Sequence, residues 1–273
     1  MKAASFEYVR PSNVAGALAA LSRGGKLIAG GQSLGPMLNL RLARPSLLVD
    51  VSRLIALQRL EDTGSGWRIG AGVTHARLED ARGTLPGGEM LCAVASGIAY
   101  RSVRNRGTIG GSLAHADPAA DWPVALSALA ATVNLRSAHG TRSIAVDRFV
   151  EGAFATALKD EEMIESIDVP KLSAAGRYGY YKYCRKTGEF AEASAAAVFD
   201  STRSVARIFV GAPCARPRPL AALAERIARE GHTAATGDAV AQAVADNAPE
   251  LDPIDRRMTA AAVMRALQQV FKP

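Results

Sequence analysis

Three segments of the chain gather glycines, hydroxyls and charged groups more densely than ordinary turns require. The first is Ala29-Gly30-Gly31-Gln32-Ser33-Leu34, which follows a short apolar run. Glycines let successive backbone N–H groups turn toward one anion without interference from a Cβ. Gln32 and Ser33 can add side-chain hydrogen bonds. A phosphate cradle uses all of these residues, although a plain turn also accommodates the segment taken alone. The second segment runs from Val103 to Pro123. Gly107, Gly110 and Gly111 permit close backbone approach, and Thr108 and Ser112 offer hydroxyls. Asp117 precedes Pro118, which biases it away from helix and suits it to cap the run that follows. Asp121 falls in the first turn of that run, where a carboxylate complements the helix dipole. The third segment, Tyr180 to Phe199, joins a basic aromatic stretch to a small-residue stretch through Gly188, Glu189 and Phe190. Phe190 can serve a core or stack on a planar ring.

Other chemistries lack their residues. No G-x-G-x-x-G follows a strand, and no G-x-x-x-x-G-K-[ST] occurs, so neither common nucleotide loop is present. No G-x-S-x-G elbow exists for an α/β-hydrolase. His75, His115, His139 and His232 lie in unrelated contexts and suggest no triad. His115, Asp117 and Asp121 resemble a metal set only superficially, because no second histidine is near. The three cysteines, Cys92, Cys184 and Cys214, are too sparse for a disulfide framework and form no Cys-x-x-Cys pair. The formal net charge is +7, but the basic residues are scattered and form no block with interleaved aromatics. This argues against nucleic acid and favours an acidic partner or an anionic cofactor. No apolar run approaches the ~20 residues of a membrane span. The N-terminus has no apolar secretory core, so a soluble cytoplasmic protein is expected.

The elements that must position these segments follow from patterning. Ser12-Asn13 can cap a helix through Val14–Arg23. Residues 26–30 and 46–52 read as buried strands, which makes a small parallel α/β unit with the first glycine segment at its turn. Residues 67–73 read as a strand, and 74–82 as a helix opened by Thr74. Helical spacing recurs over 88–100 and 121–131, with a strand over 131–137. Residues 143–150 and 162–170 look like further strands. Residues 176–186, 194–200 and 205–212 have β character and suggest a separate antiparallel sheet. The tail from Pro219 onward is helical. Residues 170–176 form a plausible boundary. A chain of 273 residues with 48% hydrophobic content can bury a sizeable core.

Taken together, "AGGQSLGP" (29–36), "RNRGTIGGSLAHADPAADWP" (104–123) and "KTGEFA" (186–191) closely resemble, in order and spacing, the FAD-binding medium subunits of molybdenum hydroxylases. These include the carbon monoxide dehydrogenase medium subunit, and their counterpart is the FAD domain of xanthine dehydrogenase. The resemblance runs essentially end to end. It implies an α+β fold with a vanillyl-alcohol-oxidase (PCMH-type) FAD-binding domain of two subdomains, 1–55 and 56–172. A C-terminal domain of the carbon monoxide dehydrogenase flavoprotein type, 173–273, would add a small antiparallel sheet and a helical bundle.

The resemblance also implies the site. Ala29, Gly30, Gly31, Gln32, Ser33 and Leu34 would wrap the FAD pyrophosphate, largely through backbone amides. Thr108, Ile109, Gly110, Gly111 and Ser112 would lie on its other side. Asp121 would accept bonds from the adenosine ribose or hold the loop that does. Ile164 would touch the adenine side, Lys182 would contact FAD, and Phe190 would lie over or beside the isoalloxazine. Two positions depart from the family pattern: Ser112 stands where Asn is usual, and Glu189 where Asp is usual. No catalytic residue is expected in this chain, because the cofactor carries the chemistry. Molybdenum cofactor and [2Fe-2S] clusters would reside in a large and a small partner subunit, in a dimer of heterotrimers. FAD would collect their electrons for an external acceptor. A self-contained FAD-dependent oxidoreductase and a flavin-free scaffold subunit are the alternatives.

Overall fold

The computed structural model describes residues 2–272. Its first unit is β1 (Glu7–Val9), α1 (Val14–Leu21), β2 (Lys26–Ile28), α2 (Leu34–Asn39) and β3 (Leu47–Asp50). The three strands form a parallel sheet in the order β1-β3-β2. Asn13, rather than Ser12, caps α1, accepting from the Gly16 amide at 2.8 Å. Ala17, Leu18 and Leu21 of that helix bury against Leu47, Val49 and Leu57. Strand β1 was not expected from the sequence. Glu7 and Tyr8 are both exposed, so the segment carries no alternating apolar signal.

The second unit opens with β4 (Leu60–Asp62) and β5 (Gly66–Gly70). Five helices follow: α3 (His75–Asp80), α4 (Glu89–Ser96), α5 (Arg101–Arg104), α6 (Ile109–His115) and α7 (Asp121–Ala128). The chain then runs through β6 (Thr132–Ser137), β7 (Gly140–Ala145), α8 (Val146–Phe149), the small hairpin β8 (Val150–Gly152) and β9 (Ala155–Thr156), and β10 (Met163–Pro170). The five-stranded sheet has the order β4-β5-β10-β6-β7, and its pairs are antiparallel. Every residue of α7 is buried, as expected for a helix without a polar face. Trp122 and Leu126 of α7 share a core with Ile69, Leu113 and Val133.

The third unit is an antiparallel sheet of β11 (Gly176–Tyr183), β12 (Ala193–Asp200), β13 (Val205–Val210) and β14 (Arg218–Pro219). Helices α9 (Ala221–Glu230), α10 (Gly237–Asn247) and α11 (Pro253–Phe271) complete it. The small residues of β12 have a structural cause. Ala196 and Val198 face the core of the second unit, and Ala193, Ala195 and Ala197 face the helices. A strand buried on both faces between two close layers needs short side chains.

Two local expectations are corrected. The α7 N-cap position is Ala120, and Asp117 instead accepts from the Ala119 amide at 2.9 Å. Its side chain closes an Asx turn three residues too early to reach the helix. The run 143–150 does not stay extended, because Val146–Phe149 makes one helical turn that buries Val146 and Phe149. Among the described residues, no helix is long and apolar enough to cross a membrane.

Candidate functional site

The carboxyl edge of the parallel sheet, where β2 ends at Ile28 and β3 at Asp50, faces the loop that leads into α6. Crevices at such edges are where open α/β sheets bind ligands. A cavity of about 270 Å³ lies there, lined by Ala29, Gly30, Ser52, Gln58, Thr74 and Thr108 among others. Its first wall is the start of the glycine segment, Ala29 and Gly30. Among the described residues, the amides of Gly30, Gly31, Gln32 and Ser33 donate to no protein acceptor. Gly30 and Gly31 are half-buried, where backbone donors are rarely left without partners, and the exposed amides of Gln32 and Ser33 extend the row toward solvent. Ser33 occupies the N-cap position of α2 without making a capping bond, which leaves its hydroxyl free as well.

The opposite wall is organised differently. Thr108 caps α6 by accepting from the Gly111 amide at 3.0 Å. The Ile109 and Gly110 amides donate to Val73 and Ala71, at 3.1 and 3.0 Å. The Ser112 amide donates to the Thr108 carbonyl at 3.0 Å. Amides 109–112 are thus engaged within the protein. Gly110 serves packing, since a Cβ there would lie 2.5 Å from the Ala71 Cβ. The first loop therefore supplies the backbone donors, and the second supplies a rigid wall with the Thr108 side chain. Ser112 is half-buried on α6.

A second cavity of about 290 Å³ adjoins the first, sharing Ala29, Ser52 and Arg106, and adds Tyr8, Arg10, Asp50 and Arg53. Asp50 accepts from Tyr8, from Arg10 at 2.9 Å and from the Ser52 amide at 2.8 Å. Burial opposes its ionisation, yet these hydrogen bonds hold it down to about 2. Arg53 and Arg106 have no carboxylate partner among the described residues, so the carboxyl edge is electropositive.

The remaining expected residues lie apart from these two cavities. Asp121, only 7% exposed, accepts from the Tyr180 hydroxyl at 2.7 Å and pairs with Lys182 at 3.0 Å. Burial pushes the Asp121 carboxyl up, and Lys182 and Tyr180 pull it back. Burial and the Asp121 charge raise Tyr180 well above its ordinary value. Ile164 sits in the second core, opposite Leu135. Phe190 is 69% exposed on the loop after β11. At Gly188, with φ +91°, a Cβ would stand 2.7 Å from the Ala99 carbonyl oxygen. That contact brings the Phe190 loop beside Tyr100, which is 64% exposed.

Sequence reasoning missed two residues here. Tyr100 reads as the last residue of a helical run over 88–100, but α4 ends at Ser96 and Tyr100 stands at the N-cap position of α5. His75 reads as an isolated histidine, yet it is 5% exposed and its Nδ1 accepts from the Trp122 indole N–H at 3.1 Å. Burial lowers its pKa to about 4, with help from Arg104. His115 packs on Phe154 at 5.1 Å between ring centroids. Among the described residues, no three His, Cys, Asp or Glu side chains are grouped to hold a metal.

Residues 4–172 match the family model for the FAD binding domain in molybdopterin dehydrogenase. The chain belongs to this family. It is 38% identical over 216 residues to the nicotine 6-hydroxylase medium subunit of Paenarthrobacter nicotinovorans, covering 77% of this chain and 76% of that one. It is also 38% identical over 199 residues to the carbon monoxide dehydrogenase medium chain of Hydrogenophaga pseudoflava, covering 71% and 68%. Among solved structures, CO dehydrogenase from Oligotropha carboxidovorans superposes with a TM-score of 0.89 at 29% identity, over 99% of both chains. Quinoline 2-oxidoreductase from Pseudomonas putida 86 gives 0.89 at 29%, over 99% and 98%. The chain is thus a mixed helix-and-sheet flavoprotein subunit of the molybdenum-containing dehydrogenases and hydroxylases. Its site fits the FAD of the family: the unengaged Gly30 amide and Thr108 line a cavity beside Arg53 and Arg106, which have no carboxylate partner among the described residues, and a diphosphate takes such donors.

Proposed function

We propose that this chain is the FAD-carrying electron-transfer subunit of a three-subunit molybdenum hydroxylase. The supporting observation is the row of unengaged amides that begins at Gly30, which lines the cavity with Thr108, and continues through Ser33. In this reading Ala29–Leu34 bind the diphosphate through backbone N–H groups and the Ser33 hydroxyl. Thr108, with Ile109–Ser112 behind it, closes the other side, and Arg53 and Arg106 offset the diphosphate charge. Asp121, fixed by Tyr180 and Lys182, orients the adenosine end together with Ile164. Phe190, with Tyr100 beside it, covers the isoalloxazine and excludes water from one face. The bound flavin supplies the exchange of electrons between a one-electron donor and an acceptor.

The partners we infer are a large subunit with molybdenum cofactor and a small subunit with [2Fe-2S] clusters. The relatives' names, medium subunit and medium chain, support such an assembly. We infer a cytoplasmic dimer of heterotrimers that delivers electrons to an external acceptor. The finer fold reading is the PCMH-type pair of subdomains followed by the C-terminal flavoprotein domain. A parallel and an antiparallel sheet flanking the cleft support it.

The test is a visible spectrum of the purified chain after incubation with FAD and removal of excess. Two flavin bands, with one FAD and no FMN released per chain on denaturation, are expected. A colourless chain that stays colourless when assembled with its partners would overturn the proposal.

A further inference from the structure

His75 occupies a position that FAD binding alone does not call for. Its backbone N–H donates to the Gly107 carbonyl at 3.0 Å. Its ring edge lies flat against Gly107, where a Cβ would stand 2.9 Å from both Cδ2 and Nε2. On the far side, Nδ1 accepts the Trp122 indole N–H at 3.1 Å. Trp122 is fully buried, and the residue before it, Asp121, holds Tyr180 and Lys182 of β11. A continuous path of packed and hydrogen-bonded groups therefore runs from β11 through Asp121, Trp122 and His75 to the Gly107–Thr108 wall of the cavity.

The Trp122 bond fixes the imidazole's tautomer. An indole nitrogen only donates, so Nδ1 must be the unprotonated acceptor and Nε2 must carry the proton. The neutral ring is then locked in rotation between the Trp122 N–H and the Gly107 main chain. Neither an apolar side chain nor a charged one reproduces that arrangement. Arg104 disfavours an imidazolium, and the Asp121 carboxylate, next in sequence to Trp122, is taken up by Lys182.

We propose that His75 is a positioning residue for the flavin cleft: held by Trp122, it sets the Gly107–Thr108 wall at the spacing the flavin diphosphate needs. This rests on the FAD reading above. It adds that the wall's placement depends on a specific hydrogen bond and not on packing volume alone.

The test compares His75→Asn, His75→Leu, Trp122→Phe and the His75→Leu/Trp122→Phe double variant in the full chain. FAD dissociation constants and thermal midpoints are read on each. Asn places a carbonyl oxygen near the position of Nδ1 and keeps the acceptor. His75→Leu and Trp122→Phe should each weaken FAD binding about tenfold, and the double variant about as much as either alone, because both singles remove one interaction. His75→Asn should stay within about threefold of wild type, since a retained acceptor preserves most of the hydrogen bond. Thermal midpoints that fall while FAD affinity holds in Trp122→Phe would show a structural role only and overturn the proposal. Additive losses, or Asn behaving like Leu, would overturn it too. Should Leu fail to fold, Asn and Trp122→Phe decide. A wild-type chain that binds no FAD, alone or assembled, sinks the functional reading itself. Bound FAD with unchanged variants sinks only this inference.

Discussion

Gly30 and Arg106 meet backbone to backbone across the cleft. A Cβ on Gly30 would lie 1.8 Å from the Arg106 carbonyl oxygen, and the Arg106 guanidinium reaches back to the Gly30 carbonyl at 3.3 Å. The parallel unit and the α6 loop therefore touch where the donor row begins. Any side chain at position 30 forces them apart. Gly30→Ala should weaken FAD binding at least tenfold and cost about 2 kcal/mol of stability, as close-packed main chain cannot yield cheaply. Gly35→Ala is the matched control. Nothing lies within 4 Å of its Cβ position inside α2, so it should keep FAD affinity and gain up to about 1 kcal/mol. Flavin titration and thermal unfolding of the two variants check the pair.

Asp121 and Lys182 form an ion pair enclosed between α7 and β11. Removing one partner strands the other, which costs roughly 3–5 kcal/mol for buried pairs. Asp121→Asn should therefore be strongly destabilised. The double variant Asp121→Asn/Lys182→Met should recover more than half of that loss, since no buried charge remains. Urea unfolding of wild type, both singles and the double measures the coupling. Equal stability of single and double variants would contradict a stranded ammonium.

Buried His75 also sets a pH dependence. Its folded pKa lies near 4 against an ordinary 6.5. Above pH 6.5 neither state binds the proton, and the group has no effect. As pH falls from 6.5 to 4 the unfolded chain takes up a proton that the folded chain refuses. Stability then declines by roughly 3 kcal/mol in total, at ~1.4 kcal/mol per unit, and levels off below 4. His75→Asn should lack this limb. Asp50 acts in the same direction at lower pH. Held near 2 by its donors, it contributes stability above its ordinary 3.8 that is lost as pH falls through 2. Chemical denaturation of wild type and His75→Asn between pH 7 and 4 separates the histidine from the carboxylates.

How far the sequence reveals this arrangement depends on where each signal is local. Strands β2, β3, β5, β6 and β10 announce themselves through apolar runs, and Thr74 and Asn13 through capping chemistry. Strand β1 is silent because its pairing with β3 depends on a partner forty residues away, and two of its three side chains, Glu7 and Tyr8, are exposed. The glycine segments are legible as places of close approach, but their division of labour is not. That Gly110 yields to Ala71 while Gly30 yields to Arg106 depends on which strand end each loop meets. His75, Tyr100 and Tyr180 are invisible for the same reason. Each acquires its role from a residue at least 47 positions distant or from a neighbouring loop.

Phe190 offers the sharpest separation of stability from function. It is largely exposed, so Phe190→Ala should change stability by no more than about 0.5 kcal/mol. If the ring covers the isoalloxazine, its loss removes both a stacking surface and a quencher. Bound-flavin fluorescence should then rise several-fold, with FAD affinity falling by about 1 kcal/mol, the usual scale of an aromatic contact. Gly188→Ala should reach the same optical result indirectly. A side chain at φ +91° and 2.7 Å from the Ala99 carbonyl cannot keep the loop beside Tyr100. Phe190→Tyr retains the stacking surface and should behave as wild type in affinity. Unchanged flavin emission in both Phe190→Ala and Gly188→Ala would remove this loop from the isoalloxazine end of the cleft and leave Tyr100 as the aromatic to test there.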